Sequence, residues 1–194
     1  MGKFMRQETG IDGLFVITPT LFPDERGYFL ETYNQREFEE IGIPNIFVQD
    51  NQSCSSKGVL RGLHFQREFP QSKLVRCIKG AVFDVAVDLR YEKIVGGIQK
   101  LSPTYGQAYG VILSEENKKQ FFITKGFAHG FLVLSDIAEF AYKCDDFYHP
   151  NDEGGIIWDD PDVAIDWPLE KIGGKENVIL SEKDQKWPEL KYLD

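Results

Sequence analysis

The sequence is short of the residues from which metal centres and disulfide frameworks are built. It has 3 histidines and 3 cysteines in 194 residues. Cys54, Cys77 and Cys144 are widely spaced, odd in number and never paired as Cys-x-x-Cys, which argues against a disulfide scaffold or zinc cluster and fits a reducing compartment. Nor do two histidines stand one residue apart, a spacing by which barrel proteins gather a metal, so neither metal nor cofactor is expected. There is no Gly-x-Ser-x-Gly elbow, and the glycine pairs at 96–97, 154–155 and 173–174 match no phosphate loop or dinucleotide fingerprint and read as turns. No apolar run approaches the about 20 residues of a membrane helix, and the opening MGKFMRQETG has no signal-peptide core. Arg6 stands where a myristoylation motif beginning at Gly2 needs Ser or Thr. A cytoplasmic chain with no membrane partner is the expectation. Basic residues are in deficit: the formal charge of −9 works against nucleic-acid binding, which rests on Lys and Arg neutralising phosphates. Any phosphate on a ligand must meet a local basic cluster.

What is present is strand-forming. A hydrophobic fraction of 42%, an aromatic fraction of 13% and 15 phenylalanines favour a packed structure rich in strands. From Gly13 to about Lys143, short alternating or apolar runs are broken by Gly, Pro, Asn and Asp, the pattern of an antiparallel barrel or sandwich. Strands are predicted at 14–18, 27–33, 46–53, 59–66, 73–79, 81–89, 97–101, 108–113, 120–123, 130–134 and 139–144. A helix over 34–41 interrupts them, capped by Asn34 with Glu37 three residues on, turning Phe38 and Ile41 inward and stopped by Gly42 and Pro44. Residues 161–194, with Trp167-Pro168, Trp187-Pro188 and short helical stretches, read as a tail packed over the barrel. No repeat or linker is visible, so one domain over 1–194 is expected.

In the run 81–89, Ala81, Phe83, Val85, Val87 and Leu89 alternate with Val82, Asp84, Ala86 and Asp88, which reads as a core face and an acid-bearing face. The acids mark either a solvated surface or the polar lumen of a barrel. Histidine is the usual general base near neutral pH, with an unperturbed pKa of about 6.5. His64 lies in Val59-Leu-Arg-Gly-Leu-His-Phe-Gln66, after a glycine that allows close approach of a ligand; it is either a base or a hydrogen-bonded barrel histidine. Alternation puts Arg61 and His64 on opposite faces, so a bulge is needed for both to reach one site. His129, in Gly126-Phe-Ala-His-Gly-Phe131, reads on spacing as a structural histidine at a strand start. Ser181-Glu-Lys-Asp184 has the spacing of a helix cap with an acid in the first turn.

A series of segments resembles one family throughout nearly the whole chain. They are Phe22-Pro-Asp-Glu-Arg-Gly-Tyr-Phe-Leu-Glu-Thr-Tyr33, Phe47-Val-Gln-Asp-Asn51, 59–66, Lys73-Leu-Val-Arg76, Val82-Phe-Asp-Val-Ala-Val-Asp88, 126–131, and Trp158-Asp-Asp-Pro161 ahead of Asp166-Trp-Pro168. In this order they are similar to the dTDP-4-dehydrorhamnose 3,5-epimerases, homodimeric jelly-roll proteins of cupin type that work without metal. The resemblance implies a mainly β jelly-roll with a few short helices. The implied substrate is a dTDP-linked 4-keto-6-deoxy sugar, whose carbons 3 and 5 are inverted on the way to dTDP-L-rhamnose.

Residue by residue, the base matches His64 and its partner carboxylate Asp184, which reverses the capping reading of that acid. Tyr142 matches the acid on the opposite face of the sugar. Lys73 and Arg61 match cations near the substrate oxygen and phosphates, and His129 with Asp84 resembles a supporting His–carboxylate pair. Arg26, Glu31, Gln49, Asn51 and Phe147 match positions that hold the thymidine diphosphate, with Phe147 as the residue to stack on the base. The stretch 67–72 differs in length from some members. The same architecture also accommodates an epimerase acting at carbon 3 or 5 alone, a ketoisomerase, or a non-catalytic sugar-nucleotide-binding barrel.

Overall fold

In the computed structural model, which describes residues 2–93 and 99–193, two antiparallel sheets face each other. The first has the order β1-β2-β12-β7-β14-β5, formed by β1 (Phe4–Glu8), β2 (Leu14–Pro19), β12 (Gln120–Ile123), β7 (Lys73–Lys79), β14 (Ile137–Cys144) and β5 (Gln49–Ser56). The second has the order β11-β8-β13-β6-β15, formed by β11 (Ala108–Ser114), β8 (Ala81–Asp88), β13 (Phe127–Val133), β6 (Leu60–Gln66) and β15 (Glu153–Gly155). Two small hairpins complete the strands, β3 (Phe22–Asp24) with β4 (Gly27–Phe29) and β9 (Tyr91–Lys93) with β10 (Gln99–Leu101). The order is mainly β, as the sequence predicts.

Three apolar layers hold the sandwich. Leu14, Val16, Val75, Phe121 and Phe140 of the first sheet meet Val82, Ala86, Leu113, Phe131 and Val133 of the second. Outside the first sheet, Phe38 and Ile43 cover Phe15, Ile17, Leu74 and Phe122. Phe38 comes from helix α1 (Gln35–Glu40), where the Asn34 side chain accepts from Glu37 N at 3.4 Å and Gly42 leaves the helix at φ +84°. Outside the second sheet, Trp158, Val163, Trp167 and Ile172 of the tail cover Val85, Val87, Ala128 and Leu132. The helical stretches of this tail are 3-10 turns at Leu169–Ile172, Lys175–Asn177 and Leu190–Tyr192.

Several strand readings shift. The strand predicted at 27–33 stops at Phe29, because the hairpin pairing runs from Asp24↔Gly27 to Phe22↔Phe29 and goes no further. The one predicted at 46–53 lies at Gln49–Ser56, in register with the whole of β14. The one predicted at 130–134 begins at Phe127, which places His129 inside a strand. Of 97–101, residues 97 and 98 lie outside the described residues. Strands β1, β3, β9 and β15 have weak signals: Glu153-Gly-Gly155 is a strand only because it pairs with β6.

Strand β8 is buried on both faces, and its acid-bearing face is the one turned between the sheets. Val82, Asp84 and Ala86 point between the sheets, and Val85 and Val87 point outward under the tail. Asp84 and Asp88 are both 0% exposed, so neither belongs to a solvated surface. Asp88 accepts from Arg90 Nε at 2.9 Å and Nη2 at 2.8 Å, and from the Ser102 and Thr104 hydroxyls at 2.9 and 2.6 Å. A buried carboxylate so fully paired fastens the loop that follows β8.

The bulge that the sequence demands lies on β6. His129 pairs with His64 while Phe131 pairs with Arg61, so two steps on β13 oppose three on β6 and both polar side chains turn to one side. Gly130 makes this possible, because a Cβ there would stand 2.6 Å from Arg61 O and 2.8 Å from Leu63 Cδ2. Gly130→Ala is expected to destabilise the fold by about 1–3 kcal/mol through overpacking, read from the urea unfolding midpoint. An unchanged midpoint would contradict this account of the bulge.

Candidate active site

Between the sheets opens a cavity of about 800 Å³, the size of a small-ligand pocket. The second sheet gives it His64 and Arg61 from β6 and His129 from β13; the first gives Lys73 from β7, Tyr142 from β14, and Gln49 and Asn51 from β5. Asp184 closes one wall from the tail.

His64 Nε2 stands 2.5 Å from Asp184 Oδ1. With the proton on Nε2, the lone pair of Nδ1 is left to act as a base. The same oxygen accepts from Trp187 Nε1 at 3.3 Å, and the Asp184 backbone N–H donates to Ser181 Oγ at 3.1 Å. Ser181 and Asp184 therefore form the cap-like turn that their spacing suggests, and the carboxylate still reaches His64. Burial pushes the Asp184 carboxyl up, but the His64 hydrogen bond and charge, with help from Ser181 and Trp187, outweigh it and hold the group below the usual range.

Behind His64, His129 Nε2 donates to both oxygens of Asp84 at 3.0 Å. Burial drives this pair toward neutrality: it raises Asp84 against the pull of His129 and Lys73, and lowers His129 against the pull of Asp84. Across the cavity, burial also lowers Lys73 and raises Tyr142. Lys73 Nζ is 6.0 Å from the centroid of the Tyr142 ring, and among the described residues it makes no ion pair. A desolvated cation facing a cavity suits an anionic or polarised oxygen.

At the other end, Gln49 Nε2 donates to Asn51 Oδ1 at 3.0 Å, and Arg61 Nε and Nη2 donate to Ser55 Oγ at 3.1 and 3.0 Å. The structure does not bring Arg26, Glu31 or Phe147 into this wall. The Arg26 side chain is 84% exposed on the β3–β4 hairpin and paired with Asp24, Glu31 is paired with Lys3 at 2.9 Å, and Phe147 is 62% exposed. Other residues enter the wall without a signal in the sequence. Glu153, in a strand of no β propensity, places Oε1 3.9 Å from His64 Nδ1 and accepts from Lys183 Nζ at 2.7 Å. Tyr148 and Gln71 line the cavity from loops. Lys183 has the nearest thing to a cue, its place beside Asp184.

Residues 8–192 match the family described as dTDP-4-dehydrorhamnose 3,5-epimerase. The protein of that name from Methanothermobacter thermautotrophicus is 54% identical over 191 residues, covering 98% of this chain and 97% of its own. A Streptomyces niveus protein named dTDP-4-dehydrorhamnose 3-epimerase is 44% identical over 91% of this chain and 79% of its own. Among solved structures, a Legionella pneumophila 3,5-epimerase in complex with dTDP-4-keto-L-rhamnose superposes with a TM-score of 0.88 at 52% identity, covering 98% of this chain and 95% of that one. Sequence and architecture together place this chain in the dTDP-4-dehydrorhamnose 3,5-epimerase family.

Proposed function

We propose that this protein epimerises carbons 3 and 5 of a dTDP-linked 4-keto-6-deoxyglucose, giving dTDP-4-dehydro-L-rhamnose, and that it does so in the cytoplasm. The observation that carries the reading is the placement of His64 on one sheet and Tyr142 on the other, both lining one cavity. A sugar ring held between the sheets has a base on one face and a hydroxyl acid on the other. Inversion at carbon requires just that arrangement, since the proton must return from the side opposite its departure.

Carbons 3 and 5 flank the C4 ketone, so their hydrogens are the acidic ones. Nδ1 of His64 takes the proton, the C–H electron pair moves into an enolate, and negative charge collects on O4. Asp184, held ionised, stabilises the imidazolium that forms. Lys73 faces O4 and stabilises the enolate in a site poor in water, where a single donor is typically worth about 10²–10³-fold. Tyr142 O–H then gives its proton to the opposite face of the carbon. One inversion leaves His64 as imidazolium and Tyr142 as phenolate, and exchange with solvent water takes the extra proton from His64 and returns one to Tyr142 before the second carbon reacts. Gln49, Asn51 and Arg61 serve the nucleotide diphosphate, and His129 with Asp84 supports His64 from behind.

Arg26 and Glu31 fit this reading through a second copy of the chain. The hairpin that carries Arg26 is tied near its turn by Lys118 Nζ donating to Tyr28 OH at 2.7 Å, and past its open end by Gln120 Nε2 donating to Thr32 O at 2.8 Å. Leu21, Phe22 and Phe29, at its open end, are exposed. Such an apolar projection suits insertion into a partner, which supports a homodimer whose sites each receive the other protomer's hairpin. Phe147 then stands at the rim, where it can stack on the base.

His64→Asn is expected to abolish turnover of dTDP-4-keto-6-deoxyglucose while nucleotide affinity stays nearly intact, since a positioned base contributes about 10²–10⁴-fold to rate and little to binding. Near-normal turnover would remove His64 from the chemistry. Arg26→Ala is expected to raise KM. When it is mixed and exchanged with His64→Asn, activity at low substrate should recover, because one site of each mixed dimer has both residues intact. Absence of recovery, with exchange verified by mass, would place Arg26 outside the partner's site.

A further inference from the structure

Trp187 belongs to none of the roles assigned above, yet its side chain ends at the dyad. The segment is fixed beyond it by Ile157 N donating to Pro188 O at 2.9 Å. The indole lies on Gly155: a Cβ at that glycine would stand 2.4 Å from Cδ2 and 2.5 Å from Cε2 of the ring. Gly155 is the register partner of His64, and the indole meets the imidazole edge-on with ring centroids 6.1 Å apart. Nε1 donates to Asp184 Oδ1, the oxygen that also accepts from His64.

We infer that Trp187 is a positioning residue for the epimerisation, its indole N–H fixing the Asp184 oxygen that orients His64. The inference rests on His64 being the base. A carboxylate offers several lone-pair directions, and one donor leaves it free to turn about its last bond. A second donor on the same oxygen fixes that rotation, and hydrogen bonds to ionised acceptors are the stronger kind. The bond also favours the ionised Asp184, so the Nε2 proton stays on His64 when the imidazolium forms.

Trp187→Phe keeps a ring over Gly155 and removes the donor. The expected result is a fall in kcat of about tenfold with KM held within about twofold, the signature of an interaction that matters in the transition state. Removing the donor should also move the midpoint of the Asp184 carboxyl titration upward, followed by carbon-13 NMR, a change that mere loss of packing does not produce. Gly155→Ala drives the indole off its seat and is expected to reproduce the loss in kcat, with the double variant losing no more than either single one. Unchanged kcat and an unchanged Asp184 midpoint in Trp187→Phe would overturn the role of Trp187 while leaving the base in place. An active His64→Asn enzyme would overturn the base itself.

Discussion

The hydrogen bond between His64 and Asp184 spans 120 residues of sequence and ties the carboxyl-terminal tail to the barrel. Everything that makes the cavity reactive depends on that joint. A histidine alone between two sheets can present either nitrogen and either tautomer. With an ionised carboxylate fixed on Nε2, the ring has one orientation and one free lone pair, on Nδ1, with Glu153 Oε1 3.9 Å away. The tail reaches this point because Trp158, Val163 and Trp167 bury the outer face of the second sheet, so the packing of the fold and the geometry of the base share one set of contacts.

A second constraint acts from the strand side. Regular alternation would leave Arg61 pointing away from His64, and the bulge opposite Gly130 is what turns both toward one cavity. Around them the polar groups are kept in a chargeable but pre-arranged state. Asp84 is held by His129 and Asp184 by His64, while Lys73 makes no direct ion pair among the described residues and feels Asp84 and Glu153 only at longer range. An enolate oxygen gains most from a cation that no carboxylate contacts directly.

Much of this was legible in the sequence, and the reasons differ by residue. Strands 73–79 and 120–123 follow from short apolar stretches, Leu74-Val75 and Phe121-Phe122-Ile123, that are buried in the interior of the first sheet. Helix α1 follows from Asn34 and Gly42, local signals that need no tertiary partner. Periodicity left the acid-bearing face of β8 open between surface and lumen, because a strand covered on both sides has no solvated face to orient it, and the tail that covers it lies 70 residues or more away in sequence. Glu153 and Trp187 were illegible for a related reason: their roles come from pairing with β6 and from contact with Asp184, which no local pattern encodes. The resemblance supplied Asp184 where spacing alone argued for a cap, and the structure contains both, since Ser181 accepts from the Asp184 backbone while its side chain reaches His64.

The central claim is that one cavity removes and returns protons at both carbons flanking a ketone. It is tested most directly by proton NMR of dTDP-4-keto-6-deoxyglucose incubated with the protein in D₂O. The account predicts that deuterium enters at C3 and at C5 as the sugar is converted to the L-rhamno configuration. Deuterium at only one carbon would contradict the double inversion, and no exchange at either, with the nucleotide sugar still bound, would contradict the base chemistry of His64.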